Sequence, residues 1–171
     1  IVPIHYVVLA IGMLANPFGG DDAWTNWNAK AAFLANAGDI SKDLLSTYQS
    51  QYPLFLPSIE AAFAVITGQQ FQDISAAIAL FFSVMMVIYV YRLAAKFSST
   101  RAMPGFMLLL YLMAPITVIV TWNQQADLSF ALFVLLYFGI IITTERDNDD
   151  SRLWLAYFFL AATAWVKNEG F

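Results

Sequence analysis

Residues 74–91, from Ile74 to Tyr91, form an apolar run of about 18 residues. A bilayer core is about 30 Å thick and takes about 20 such residues as a helix, with about 17 as the lower limit. That one run forces a choice between a membrane span and a deeply buried helix. Four further runs decide it. Residues 1–15 and 128–144 are apolar, as are 153–166, and 102–122 is broken only by Pro104, Gly105 and Pro115. Spanning helices tolerate such breaks. A core large enough to bury five such helices would need a polar shell, and the chain has none to give. It is 60% hydrophobic and 12% charged, whereas soluble domains are about half apolar and a quarter charged. The expected fold is therefore all-α, a polytopic transmembrane helical bundle. Its spans are placed at about 1–15, 74–94, 102–122, 128–144 and 153–168.

The same composition excludes other classes. With no cysteine there is neither a disulfide framework nor a thiolate metal site. A net charge of −4 argues against nucleic acid, which recruits basic patches. The single His5 sits in an apolar run and cannot build a histidine cluster. The chain opens without Met and stops just past a polar tetrapeptide, so it reads as a piece of a longer membrane protein. No small-residue motif suggests a signal peptide after the first run.

Residues 54–67, "LFLPSIEAAFAVIT", are only about 14 long and hold Pro57, Ser58 and Glu60. That length suits an interfacial or re-entrant segment. Arg92, Lys96 and Arg101 flank one loop, and Arg146 and Arg152 another. Short cationic loops stay on the cytoplasmic side. If 54–67 does not span, those loops face inward, and residues 16–73 and the turn near 122–127 face outward. If it spans, residues 16–53 join the cationic side. The non-spanning topology is preferred for its length.

A long outer loop at 16–73 follows, and loops of that size are usually functional. Asp21 or Asp22 is a candidate helix N-cap there. Trp24, Trp27, Ala31 and Leu34 fall at i, i+3, i+7 and i+10, one face of a helix. Tryptophan on such a face suits the membrane interface. Gly38 ends this helix, residues 41–48 form a short second one, and "QYPLFLP" turns the chain into 54–67. The charged run 145–150 is a solvated loop.

Three polar groups collect on the outward side: Asp21 and Asp22; Asn123, Gln124, Gln125 and Asp127; and Lys167, Asn168 and Glu169. Ionisable groups at a membrane are costly and mark functional sites. A carboxylate can take a proton from an acceptor hydroxyl, and a lysine can stabilise charge on a departing phosphate. That chemistry suits group transfer from a lipid phosphate. Taken singly, each residue also has a plainer role. The acids are capable caps, and Lys167 is a capable snorkelling residue.

"GGDDAWTNWNAKAAF" and then "YQSQYPLFLPSIEAAF" resemble the first outer loop of C-type membrane glycosyltransferases. The likeness is to bacterial relatives of the protein O-mannosyltransferases and the lipid A aminoarabinose transferases, glycosyltransferase family 39 and similar. The matching positions are Asp22, Trp24, Trp27, Lys30 and Ala31, then Tyr52, Pro53 and Pro57. "WNQQADLSFALF" resembles the second outer loop, with Asp127, and "WVKNEGF" a Lys-x-Glu-Gly element, with Lys167 and Glu169. The resemblance covers essentially the whole chain. It implies transfer of a sugar from a polyprenyl-phosphate donor to an acceptor hydroxyl, on the outer face of a bacterial cytoplasmic membrane. It implies juxtamembrane helices in the first outer loop and a catalytic acid, Asp21 or Asp22, with Asp127 as a second acidic site residue. Lys30, Tyr52, Lys167 and Glu169 would bind donor phosphate or substrate. No cofactor is implied; a divalent metal is left open, since carboxylates alone argue for one weakly. Membrane lipid and the lipid-linked sugar are the expected partners. A transporter or flippase, marked by repeats and discontinuous helices with polar midplane residues, and a non-catalytic membrane scaffold are the alternatives.

Overall fold

The computed structural model describes residues 1–37, 52–147 and 150–167. Among these every regular element is helical. The chain runs through α1 (Val2–Ala15), a π-helical turn (Ala23–Asn28) continuing into α2 (Ala29–Ala37), and α3 (Phe55–Thr67). Then come α4 (Phe71–Phe97), α5 (Ala102–Met113), α6 (Pro115–Trp122), α7 (Asp127–Asp147) and α8 (Leu153–Val166). The expected helix end at Gly38 and the short helix expected at 41–48 lie outside the described residues.

Two helices, α4 and α7, are long and apolar enough to cross a membrane. Their apolar 18-residue windows are only 28% and 33% buried. Most of their apolar surface is thus left uncovered by the rest of the chain. α1 carries the same signature, with Ile4, Val7, Ile11 and Leu14 all more than half exposed. Yet α1 and α8 have 14 residues each, about 21 Å of helix. As described, neither reaches across a bilayer alone.

The run 102–122 is not the straight span that its composition suggests. It breaks between α5 and α6 with a bend of 58°, and counts as a third span only if the bent pair crosses together. Pro115 causes the break. It has no N–H to give, and its ring drives the preceding residue out of the helical region. Ala114 accordingly sits at φ −70, ψ 116. The Thr117 amide and hydroxyl both donate to the Ala114 carbonyl, at 3.1 and 2.8 Å.

α3 is 13 residues long, stopped by Gly68 in the left-handed conformation at φ 66. At about 20 Å it is too short to span. It packs on α2 and on α4, where Glu60 meets Ser75.

Helix contacts sort the chain into two ends. At one end the Gly20 amide donates to the Asn123 carbonyl at 3.0 Å, tying the exit of α1 to the α6–α7 turn. The Lys167 ammonium joins the exit of α8 to Asp127 at the start of α7. At the other end Lys96 pairs with Asp147, and Arg146 donates to the Lys96 carbonyl at 2.7 Å. The core sits toward the first end, where Ala23, Trp27, Leu56, Phe82, Ala126, Leu128, Leu132 and Val166 pack together.

Candidate functional site

The π-helical turn at 23–28 builds the site. The Ala29 amide bonds to the Trp24 carbonyl, an i→i+5 contact. Such a turn rotates less per residue than an α-helix, so residues three apart no longer share a face. Trp24 and Trp27 therefore part company. Trp24 is 54% exposed and stacks edge-on against Phe18 with centroids 5.2 Å apart. Trp27 is fully buried in the core. The expected single interfacial face of tryptophans is thus corrected: Trp24 is placed to serve as an anchor, and Trp27 is an internal wall.

The same turn separates the two acids. Asp21 is exposed, and its backbone carbonyl accepts the Thr25 hydroxyl at 2.6 Å. Asp22 is half-buried, and each of its carboxylate oxygens holds a donor: Asn26 Nδ2 on Oδ1 at 2.5 Å and Trp27 Nε1 on Oδ2 at 3.3 Å. Its side chain caps no backbone amide. The N-cap role considered for it is not the one it takes.

Lys30 lies one turn further on and is 1% exposed. Its ammonium stands 5.9 Å from the Trp27 ring centroid and 6.0 Å from that of Tyr52. The two rings themselves meet edge-on, at 5.6 Å and 89°. Burial lowers the Lys30 pKa, and the Asp22 charge pulls it partly back up. Asp22, Trp27, Lys30 and Tyr52 therefore form one constellation: an oriented carboxylate, a desolvated cation and two ring faces.

Asp127 and Lys167 form a second pair, Nζ to Oδ1 at 2.8 Å, with Lys167 the better shielded at 14% side-chain exposure. Ala23, Ala126 and Val166, each beside one of these charged residues, share the one buried cluster. Both constellations thus lie at the same end of the bundle. Glu169 and Asn168 lie outside the described residues. Among the described residues no three of His, Asp or Glu come together as metal ligands.

The structure joins a third group that the sequence reading did not connect. Glu60 of α3 is 2% exposed, Asn28 3%, Gln124 2% and Ser75 of α4 1%. They form one continuous hydrogen-bonded chain. Ser75 Oγ lies 2.9 Å from Asn28 Oδ1 and 3.0 Å from Glu60 Oε1. Asn28 Nδ2 donates to the Phe18 carbonyl at 3.2 Å and to Gln124 Oε1 at 3.4 Å. Gln124 Nε2 donates to the Pro17 carbonyl at 3.1 Å. Gln124 holds its place with a positive φ of 56, a costly conformation for a residue with a side chain. The available signal was a glutamate inside an otherwise apolar helix, which rarely occurs without a reason.

No protein-family model matches the chain, and neither a curated protein nor a solved structure matches it.

Proposed function

We propose that this chain belongs to a polytopic membrane glycosyltransferase that takes a sugar from a polyprenyl-phosphate donor. The observation that carries the reading is the Asp22–Lys30 constellation: a carboxylate fixed through both oxygens, with a desolvated cation one or two turns along, at the bundle end that also gathers Asp127 and Lys167. Fixed orientation is what a general base needs. Asp22 rather than Asp21 is assigned that role, since Asp21 faces solvent.

In the reaction, Asp22 takes the proton of the acceptor hydroxyl as that oxygen attacks the anomeric carbon. The carbon–oxygen bond to the donor phosphate breaks, and the phosphate leaves with the electron pair. One displacement inverts the anomeric centre. Lys30 and Lys167 stabilise the charge that grows on the departing phosphate. Tyr52 and Trp27 wall the sugar side. Phe18 and Trp24 seat the turn at the lipid surface, where a polyprenyl chain arrives. The two-ended sorting of charges supports an extracytoplasmic site in a bacterial cytoplasmic membrane, with the Arg146 and Lys96 end inward.

The test is Asp22→Asn in the full-length chain, assayed for sugar transfer from polyprenyl-phosphate sugars. Loss of transfer with normal membrane insertion supports the reading. Full activity in Asp22→Asn, in Asp21→Asn and in the double variant would sink it. Single cysteines at 22 and 127 should label from outside and one at 149 from inside; the reverse overturns the topology.

The bend at Ala114 favours a second reading, a transporter, since discontinuous helices mark such proteins. Buried His5 lines one cavity with Leu112, Met113 and Val118, on either side of that break. Proton-coupled uptake into vesicles that is lost in His5→Gln would establish it over sugar transfer.

A further inference from the structure

The polar chain from Pro17 to Glu60 has a direction, and that direction fixes a proton. A backbone carbonyl only accepts, so at Pro17 it is the amide nitrogen of Gln124 that faces it. Gln124 Oε1 then faces Asn28, whose Nδ2 reaches both it and the Phe18 carbonyl. Turning either amide over would set oxygen against carbonyl oxygen. Asn28 Oδ1 is thereby aimed at Ser75 and takes its hydroxyl proton. A serine hydroxyl has one proton to give. The remaining contact, between Ser75 Oγ and Glu60 Oε1, closes only if Glu60 is the donor.

The surroundings agree. Glu60 Oε2 is buried with no hydrogen-bond partner, tolerable in a neutral acid and expensive in an anion. The space beside Glu60 has a volume of about 10 Å³, room for one water at most. Of the residues lining that space only Glu60 titrates; the rest include Ser75, Gln124, Gln125 and Ser129. On the elements packed around it, Lys30 of α2 interacts with Asp22, Asp127 of α7 with Lys167, and Asp73 of α4 stands in the outer first turn. Burial raises the Glu60 carboxyl to about 7.

We infer that Glu60 is a proton-binding site that latches α3 to the bundle: protonated, it donates into the Ser75–Asn28–Gln124 chain, and deprotonated it lets α3 go. α3 begins three residues after Tyr52, whose ring lies against Trp27 and near Lys30. Opening the latch therefore uncovers one wall of the Asp22–Lys30 constellation. The latch stands whatever that constellation transfers.

The sign follows from linkage. The folded value lies above the ordinary 4.5, so the closed state binds the proton more tightly than the open one. Closure is firmest below about 4.5 and weakens as pH rises to about 7, beyond which both states have lost the proton. The test is hydrogen–deuterium exchange of residues 55–67 in the full-length protein in detergent, wild type beside Glu60→Gln. Glutamine keeps a donor toward Ser75 and has no proton to lose. At each pH the ratio of the two rates cancels the chemical exchange rate. The wild-type to Glu60→Gln ratio should climb up to about tenfold per pH unit across that window and then level off. A ratio independent of pH overturns the latch. Should Glu60→Gln fail to fold, infrared spectra of wild type carrying carbon-13-labelled glutamate decide instead. A labelled neutral-carboxyl band persisting at pH 6 and vanishing above about pH 7 upholds the inference, and its absence at pH 6 refutes it.

Discussion

The two ends of the bundle handle charge in opposite ways. At the end holding Lys96, Arg146 and Asp147, the charges stay wet. The Lys96–Asp147 pair is 33% and 37% exposed, and Arg146 lies over the Phe97 ring at 5.2 Å. At the other end Lys30 and Glu60 are almost wholly removed from water, together with Asn28 and Gln124. Exposed pairs cost little and contribute little, typically 0–1 kcal/mol. Buried charges carry a desolvation penalty of several kcal/mol unless they are paired or neutralised. A fold that gained nothing from buried ionisable groups would treat both ends like the first. The difference sets the Asp22–Lys30–Glu60 end apart from the wet one.

Four substitutions probe that contrast, from the largest expected effect to the smallest. Asp22→Asn should lower sugar transfer by about 10²–10⁴-fold, the usual range for a general base, with insertion and folding kept; a loss under tenfold in an initial-rate assay breaks the assignment. Trp27→Ala should destabilise the fold by about 3–5 kcal/mol, since it empties a fully buried site. Denaturant titration in micelles measures this, and an equal cost for exposed Trp24→Ala would erase the distinction that the π-helical turn draws. Gly12→Ala should cost about 1–3 kcal/mol by overpacking, because its Cβ would sit 2.1 Å from the Trp122 ring; an unchanged midpoint would mean that α1 is not seated on α6. Lys96→Ala, at the wet end, should move stability by no more than about 1 kcal/mol. A larger shift there would dissolve the contrast between the ends.

The helices were largely legible beforehand, because long apolar runs admit few conformations. The run placed at 74–94 folds as the helix α4 at 71–97, and that at 128–144 as the helix α7 at 127–147. The break within 102–122 was foreshadowed by Pro115, but its 58° bend was not. Nor was the π-helical turn, for "AWTNWN" fits an α-helix equally well by spacing. That turn decides which tryptophan is wall and which is anchor, and which aspartate is held. Ser75 and Asn28 drew no notice, since single polar residues gain meaning only from the neighbours that folding supplies.

By itself the sequence determined the element type. Apolar runs near bilayer length, with charges confined to their ends, favour helices that satisfy their own backbone. Tertiary structure alone decided what the polar residues do. A hydrogen bond depends on which atoms end up within about 3 Å, and Glu60, Asn28 and Gln124 lie far apart along the chain. Their direction of donation, and with it the proton on Glu60, exists only once α2, α3, α4 and the α6–α7 turn have closed around them.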